Sequence, residues 1–376
     1  MAGLYFHVPF CKSKCYYCDF YSRVNIDSLR GAYLDAVERE LVLRKDFLQG
    51  EVVKTVYFGG GTPSLLTCGE IARLTDRAAT LFDLDTTEVT LEANPENLSD
   101  SFLKGLKGTP INRLSIGIQS FSDTELAAIN RKHSAQDAID AVKRCQDAGF
   151  ENISIDLIYG LPSQTLEGWS ENLQKAVALD VPHISSYHLT YEEGTVLHLQ
   201  AQKGKIAPVN EELSVEMFRT LRQTLLAAGY EHYEISNFAK PGLEAKHNSS
   251  YWDGTKYLGI GPAAHSFDGD SRHWNVADTR GYIETLARGE FPCETEVLTE
   301  ADRYNEFVMT SLRTAKGISL SRLLTKFGEK MRDFCLKSAA PFLKNGTLED
   351  KNGNLRLTED GIFVSDGIMS ELMWVD

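Results

Sequence analysis

The feature that most constrains this chain is a regular alternation of short β-rich runs and amphipathic helical segments through its first half. The predicted strands are 4–8, 55–58, 88–93, 113–118, 153–158 and 183–190. The predicted helices between them are 28–48, 69–82, 99–106, 134–148 and 166–179. Runs such as Thr-Val-Tyr-Phe suit strands buried between helices, and such crossovers are right-handed. The alternation therefore predicts an α/β fold with six parallel strands in a sheet or partial (β/α)6 barrel.

Polar or glycine-rich residues follow each of these strands. They are the cysteine loop after the first strand, Gly59–Pro63, Glu92–Pro95, Gln119–Phe121 and Asp156. In βα folds ligands bind at the carboxyl ends of the strands, where such residues meet. We therefore expect the functional site at this edge of the sheet.

The alternation is lost after about residue 200. A helix near 211–228, a glycine-rich loop at 254–261 and several further helices follow. The segment 348–357 is typical of a hairpin, since Asn352-Gly353 favours a type I′ turn. We predict a core at 1–205, a connecting α/β region at 206–295 and a smaller C-terminal α+β domain at 296–376 with a winged-helix-like tail. The C-terminal third is expected to be a separate unit.

The charge balance excludes some classes of partner. The chain has 39 basic and 53 acidic side chains, a formal net charge of −14. Such a charge opposes binding to nucleic acids, which also argues against an RNA-modifying enzyme. No apolar run reaches the roughly 18 residues of a membrane span, and the N-terminus lacks signal-peptide features. We expect a cytoplasmic protein that is not an integral membrane protein.

Three of the seven cysteines, Cys11, Cys15 and Cys18, lie in a C-x3-C-x2-C arrangement directly after the first strand. In a reducing compartment clustered thiols indicate metal ligands rather than a disulfide framework. A structural zinc ion needs a fourth ligand, and no second Cys or His pair follows. The spacing favours a three-cysteine iron–sulfur site over zinc or a chance grouping.

Six motifs in chain order give a family resemblance. They are Tyr5-Phe-His-Val-Pro-Phe-Cys11, Gly59-Gly-Gly-Thr-Pro63, Glu92-Ala-Asn-Pro95, Gly117-Ile-Gln-Ser-Phe121, Asn130-Arg131 and Asp156-Leu-Ile-Tyr-Gly-Leu-Pro162. Together with the cysteine spacing, they resemble those of the radical SAM superfamily and of its HemN-like proteins. The resemblance covers about the first 200 residues strongly and the remainder more loosely.

The resemblance implies a partial TIM-like radical SAM barrel that carries a [4Fe–4S] cluster and exchangeable S-adenosylmethionine. Cys11, Cys15 and Cys18 would be the cluster ligands, and the cluster would need an electron donor. The positions that match S-adenosylmethionine contacts are Tyr5, Tyr17, Gly60, Gly61, Thr62, Glu92, Gln119, Arg131 and Asp156. From the residues alone, the glycines are also consistent with a plain turn, and the two carboxylates with helix caps or surface charges.

The HemN-like proteins that this chain resembles include two groups, the oxygen-independent coproporphyrinogen III oxidases and the HemW heme chaperones. Three sequence features distinguish the two groups. The oxidase pattern has a further cysteine where this chain has Phe20, and the oxidases carry a longer N-terminal extension. The third feature is an HNxxYW motif, which implies heme binding by His247, Asn248, Tyr251 and Trp252. Imidazole is a good axial ligand of heme iron, although a histidine in a loop is more often structural.

The sequence therefore predicts a heme chaperone that passes heme to acceptor hemoproteins, such as those of the respiratory chain. Coproporphyrinogen dehydrogenase activity is expected to be absent, and no catalytic residue is assigned. The alternative is an oxygen-independent coproporphyrinogen III oxidase of porphyrin biosynthesis.

Overall fold

The computed structural model describes residues 1–291 and 293–375. The strands are β1 (Ala2–Val8), β2 (Phe10–Cys11), β3 (Arg23–Val24), β4 (Val53–Gly60), β5 (Leu84–Ala93), β6 (Arg113–Gln119), β7 (Asn152–Tyr159), β8 (His183–His188), β9 (Glu231–Glu234), β10 (Asn237–Ala239), β11 (Lys256–Ile260), β12 (His265–Phe267), β13 (Ser271–Asn275), β14 (Cys293–Val297), β15 (Ile318–Ser319), β16 (Leu348–Asp350) and β17 (Asn354–Leu357). The helices are α1 (Arg30–Leu43), α2 (Cys68–Ala79), α3 (Asp100–Leu106), α4 (Asp123–Ala128), α5 (Ala135–Asp147), α6 (Leu166–Ala178), α7 (Val196–Gln202), α8 (Glu211–Ala227), α9 (Lys246–Asp253), α10 (Thr279–Ala287), α11 (Glu300–Leu312), α12 (Leu320–Asn345), α13 (Glu359–Ile362) and α14 (Ser365–Leu372).

The main sheet has the strand order β14-β13-β12-β11-β1-β4-β5-β6-β7-β8-β10-β9. The six predicted strands are confirmed as β1, β4, β5, β6, β7 and β8, which pair in chain order and in parallel. Helices connect successive strands from β1 to β8, and a continuous apolar core unites the sheet with its helices. The predicted α/β class is confirmed, and the carboxyl ends of the six strands meet at one edge.

Local capping signals explain where several crossover helices begin. Thr67 accepts a hydrogen bond from the backbone N–H of Glu70, whose carboxylate accepts one from the Thr67 N–H, so that α2 starts with a capping box. Ser134 and Asp137 make the same arrangement at α5. Each box pairs two backbone donors that the first turn of a helix leaves free.

Although the alternation is lost after about residue 200, residues 231–297 still add strands to the main sheet. Strands β9 and β10 extend the main sheet at one edge, and β11 to β14 extend it at the other. The predicted loop at 254–261 contains β11, which pairs in parallel with β1 from Ala2↔Lys256 to Phe6↔Ile260. Its glycine content indicated a loop, but Gly259 allows close strand contact, because a Cβ there would lie 2.1 Å from the His265 carbonyl oxygen.

The last part of the chain has an apolar core of its own. It combines α11, α12 and α14 with a small sheet in the order β15-β17-β16. The predicted hairpin is confirmed, with positive φ angles of 56° at Asn352 and 79° at Gly353, as a type I′ turn requires. Helices α11 and α12 precede this hairpin, and the winged-helix-like interpretation stays a prediction. In the described ranges, no helix is long and apolar enough to cross a membrane.

Candidate functional site

A cavity of about 600 Å³ opens at the carboxyl edge of the parallel strands. Its lining brings together most of the residues that the sequence singled out. They are Cys11, Cys15, Tyr17, Cys18, Gly60, Gly61, Thr62, Glu92, Gln119, Arg131, Asp156 and Asn248. The expectation that the strand ends form one site is confirmed.

The cysteine loop is fixed from three directions. Short strands β2 and β3 pair in parallel at its two ends. Its middle is held by a hydrogen bond from the Tyr16 N–H to the Ile129 carbonyl at 3.1 Å and by one from the Asn130 side-chain amide to the Lys14 carbonyl at 2.8 Å. Because the loop is not helical, its three sulfurs can face the same cavity.

Two of the sulfurs have polar neighbours. The Arg131 guanidinium donates to Cys15 Sγ at 3.5 Å, and the Thr62 hydroxyl lies 3.5 Å from Cys11 Sγ. Both neighbours are hydrogen-bond donors that a metal-bound sulfur could accept from. Burial raises the pKa of the Cys18 thiol to about 11, so metal binding at this sulfur would displace its proton.

The donor set fits an iron–sulfur cluster better than one metal ion. The three thiols are free and half-buried. Within the described part of the chain, no group of three or more His, Cys, Asp or Glu side chains is arranged to hold a single metal ion. A zinc ion needs all its ligands around one point, whereas an iron–sulfur cluster takes each thiolate at a different iron.

The turn after β4 packs directly against the cysteine loop. A Cβ on Gly61 would lie 2.7 Å from the Phe10 carbonyl oxygen and 3.1 Å from Cys11 Sγ. The Thr62 N–H donates to the same carbonyl of Phe10 at 2.8 Å. Only a glycine lets this turn approach the loop so closely, which supports the functional interpretation of the triple glycine over a plain turn.

Two carboxyl groups face the cavity from neighbouring parts of the sheet. Glu92 accepts hydrogen bonds from the Tyr57 hydroxyl at 2.8 Å and from the Gly60 N–H at 3.2 Å. Burial, with a smaller contribution from nearby Asp156, raises the pKa of Glu92 to about 7. Burial also raises the pKa of Asp156 to about 6. The protonation state of both carboxyl groups therefore depends on any cation or hydroxyl donor that enters the cavity.

Gln119 and Arg131 complete the far wall. Gln119 has a positive φ of 71° at an irregularity in the β6–β7 pairing, and a strained backbone of this kind is often found at ligand sites. Arg131 Nη2 donates to Asn94 Oδ1 at 2.8 Å and to the Gly117 carbonyl. One guanidinium thus joins the cysteine loop to β6 and to the end of β5.

Sequence reasoning missed several wall residues. Tyr57, Asn94, Ser115, Ser185 and Tyr187 line the same cavity. Asn94 lies in a quoted motif, so its position gave a usable signal. The others lie within strand patterns, where the sequence does not distinguish a residue that faces the cavity from one that packs in the core.

Tyr5 was predicted to contact S-adenosylmethionine, but it is not among the residues of the cavity wall. Its ring stacks on Tyr57 with centroids 6.0 Å apart, and its hydroxyl lies 3.2 Å from His7 Nδ1. Tyr5 is therefore behind the wall, because Tyr57 stands between it and the carboxylate of Glu92.

The HNxxYW motif is helical and does not lie in a loop. It lies in α9, whose N-terminus is anchored on β5 by the Glu88 carboxylate, which accepts from the backbone N–H groups of Lys246 and His247 at 2.9 Å each. Asn248 reaches the cavity wall, whereas His247, Tyr251 and Trp252 are not part of it. Helix α9 thus closes the cavity from the side of the strand N-termini.

His247 is completely buried, and both ring nitrogens are occupied. Nδ1 lies 2.9 Å from the Thr55 hydroxyl and Nε2 lies 2.9 Å from the Tyr251 hydroxyl. Burial, followed by the charge of Arg113, lowers the pKa of His247 to about 3. An iron ligated by either nitrogen would replace one of these two buried hydrogen bonds, and heme ligation by His247 stays a prediction.

Comparisons with known proteins agree with this fold and site. The model of the radical SAM superfamily matches residues 5–176, and that of the HemN C-terminal domain matches residues 298–364. A solved structure of the coproporphyrinogen III oxidase HemN from Escherichia coli superposes with a TM-score of 0.85 at 25% identity, and the match covers 99% of this chain and 90% of that one. The fold and the three-cysteine cavity are those of a radical SAM protein.

The similar sequences define the family more closely. The heme chaperone HemW of Bacillus subtilis is 34% identical over 99% of both chains. HemW of Lactococcus lactis is 33% identical over 99% of this chain and 97% of the relative. A bovine mitochondrial protein, radical S-adenosyl methionine domain-containing protein 1, is 34% identical over 99% of this chain and 87% of its own. The chain belongs to the HemW family.

Proposed function

We propose that this protein is a heme chaperone that binds heme and transfers it to acceptor hemoproteins. The observation that carries the proposal is the similarity to HemW proteins from end to end, at 34% identity over 99% of both chains for the Bacillus subtilis relative. The similarity includes the C-terminal domain and the HNxxYW helix, so it is not confined to the shared superfamily core.

The cavity residues fit a resident [4Fe–4S] cluster with S-adenosylmethionine beside it. Cys11, Cys15 and Cys18 would hold the cluster, which supplies one-electron chemistry when it is bound. Thr62 and Arg131 would stabilise its thiolates through the contacts described above. The electron would come from a separate donor.

The S-adenosylmethionine side of the cavity needs partners for a ribose and for an amino acid group. Glu92 and Asp156 are acceptors for hydroxyl or ammonium donors, and Gly60 and Gly61 line the cavity beside them. Tyr17, Gln119 and Asn94 add further polar or aromatic surface on the same wall. These residues would orient the ligand and exclude water from the cluster.

The alternative is the coproporphyrinogen oxidase activity that the name of the Escherichia coli structure states for that protein. In the oxidase sequence pattern, a further cysteine stands where this chain has Phe20. The Phe20 side chain is 66% exposed and lines the cavity. The position therefore provides an apolar surface and no fourth thiol. This difference favours the chaperone.

The test is anaerobic reconstitution of the full chain with iron and sulfide, followed by two assays in parallel. Titration with hemin is expected to give a saturable heme spectrum, and transfer to an apo-hemoprotein is expected to follow. Incubation with coproporphyrinogen III, S-adenosylmethionine and a reductant is expected to give no decarboxylated product. Rapid decarboxylation without heme binding would reverse the assignment.

A further inference from the structure

Three lysines border the cysteine loop. Lys12 and Lys14 lie within the loop and Lys132 lies in the turn after α4, and all three are exposed and line the cavity. The Asn130 side chain joins two of them, because its amide donates to the Lys14 carbonyl at 2.8 Å and its Oδ1 accepts from Lys132 Nζ at 2.8 Å. Within the described residues, none of the three lysines forms an ion pair with a carboxylate. The loop is therefore flanked by exposed positive charge.

The charge around the loop is opposite in sign to that of the whole chain. Residues 9–25 and 130–132 contain five basic side chains and one acidic side chain, Asp19, whereas the formal net charge of the chain is −14. Glu192 is also exposed and lines the cavity, so the positive charge does not cover the whole rim. An acidic partner is repelled by the net charge of the molecule and attracted to this one part of it, which sets where and in which orientation it docks.

Exposed apolar side chains lie beside the same loop. They are Phe20, Val24, Val196 and Leu199, which are 66%, 38%, 41% and 45% exposed. Strand β3 brings Val24 opposite Cys11 in the pairing with β2, and the Leu197 N–H donates to the Tyr16 carbonyl at 3.0 Å, which holds α7 against the loop. Apolar side chains with a charged margin are the usual anatomy of a protein interface. We call these four residues and the three lysines the docking face.

The position of the docking face decides which kind of partner it fits. The loop that it borders carries Cys11, Cys15 and Cys18, whose thiols line the cavity and are half-buried. An electron passes between two proteins only over a short distance, because the electronic coupling falls exponentially with the separation of the redox groups. An electron carrier must therefore dock beside the cysteine loop, whereas an acceptor hemoprotein or a lipid surface has no such requirement.

We propose that the docking face binds a small acidic protein that carries one electron, and that Lys12, Lys14 and Lys132 orient this carrier over the cysteine loop. One electron leaves the reduced carrier and enters the cluster that the three thiolates hold, so the carrier is oxidised by one electron and no bond or proton is transferred. The inference rests on the cluster of the proposed function, and it adds the chemical class of the electron donor and the surface that receives it.

The first test measures binding of an acidic plant-type ferredoxin to the anaerobically reconstituted full chain by calorimetry. Lys12→Glu/Lys132→Glu is expected to weaken binding at least about tenfold at low salt, because it replaces attraction by repulsion. The control is Lys337→Glu/Lys351→Glu, which changes the net charge equally at two exposed lysines that do not line the cavity, and it is expected to bind as the wild type does. Sodium chloride is expected to weaken wild-type binding through screening. Phe20→Ser is expected to weaken binding and to keep the wild-type salt dependence, because the contact that it removes is apolar.

The second test separates docking from damage to the cluster. All variants are checked for iron content and circular dichroism, and reduction of the cluster is followed by its visible absorbance. Reduction by limiting reduced ferredoxin is expected to slow at least about tenfold in Lys12→Glu/Lys132→Glu. Reduction by photoreduced deazaflavin, a small molecule that needs no docking, is expected to be unchanged. Equal slowing with both reductants would overturn the docking role and assign these lysines to the surroundings of the cluster.

The outcomes distinguish the docking face from the proposed function. A wild-type protein that binds hemin but not the ferredoxin, or equal ferredoxin affinity in both lysine variants, would overturn this inference and leave the chaperone proposal intact. Binding to phosphatidylserine vesicles that is lost in Lys12→Glu/Lys132→Glu, without ferredoxin binding, would assign the face to a lipid surface and overturn the inference. A protein that binds and accepts electrons from the ferredoxin but binds no hemin would overturn the chaperone function alone.

Discussion

Replacement of His247 by alanine is expected to destabilise the fold rather than to remove a heme ligand. The change leaves the hydroxyls of Thr55 and Tyr251 without the His247 ring nitrogen that each contacts in the folded protein. A buried polar group without a partner costs about 1–3 kcal/mol, and a large-to-small core substitution costs about 2–5 kcal/mol. These effects share one void and do not add fully, so we expect a loss of about 3–5 kcal/mol in the free energy of unfolding.

The pH dependence of the unfolding free energy gives a second test of the buried, neutral state of His247. The pKa of His247 is about 3 in the folded protein, against an unperturbed value near 6.5. Below pH 6.5 the unfolded chain takes up a proton that the folded chain does not, so stability falls as the pH falls. At pH 5 this contribution amounts to about 2 kcal/mol. His247→Ala lacks it, and its stability should decline less steeply between pH 6.5 and 5.

The assay is urea unfolding under anaerobic conditions at pH 7.5 and pH 5, followed by circular dichroism. His188→Ala is the control, because its ring is exposed and an exposed substitution changes stability by only about 0.5 kcal/mol. A His247→Ala protein as stable as the wild type and with the same pH dependence would refute the reasoning. Selective loss of hemin binding in that stable protein would support His247 as the ligand.

Three further predictions concern the cavity. Cys15→Ser should lose most of the reconstituted iron and sulfide, whereas Cys293→Ser, outside the cavity, should keep both; equal contents would contradict the ligand assignment. Gly61→Ala should lower the iron content of the reconstituted protein, because its Cβ would clash with the Phe10 carbonyl and with Cys11 Sγ. A full iron content would show that the cysteine loop can move to accommodate the methyl group. S-adenosylmethionine affinity, measured by calorimetry, should fall up to about tenfold per pH unit below pH 7 as Glu92 is protonated, and Glu92→Gln should flatten the profile.

The parallel core and the cysteine loop could be predicted because their signals are local. Each of the six strands has its own apolar run, and Cys11, Cys15 and Cys18 lie within one loop. Strand β11 could not be predicted in the same way, because its partner β1 is distant in the sequence (Ala2 pairs with Lys256) and its glycines are typical of a loop.

The HNxxYW helix shows a different limit. The sequence identifies a histidine, a tyrosine and a tryptophan, but the partner that decides the role of His247 is Thr55, which is 192 positions away. Imidazole chemistry alone is compatible with an iron ligand or with a buried hydrogen-bond bridge. Only the packing of α9 against β4 distinguishes these roles.

The contact between α9 and the end of α11 bears on how the chain can be divided. The Arg313 guanidinium lies 4.8 Å from the Trp252 ring centre and 3.9 Å from the Glu234 carboxylate, and the Arg313 carbonyl accepts from the Ile235 N–H at 3.0 Å. Shortening the protein before the HemN C-terminal domain would uncover the helix on which Asn248 sits. Arg313, together with Arg322, which donates to the Asp253 carbonyl at the end of α9, therefore couples this last domain to the helix that borders the cavity.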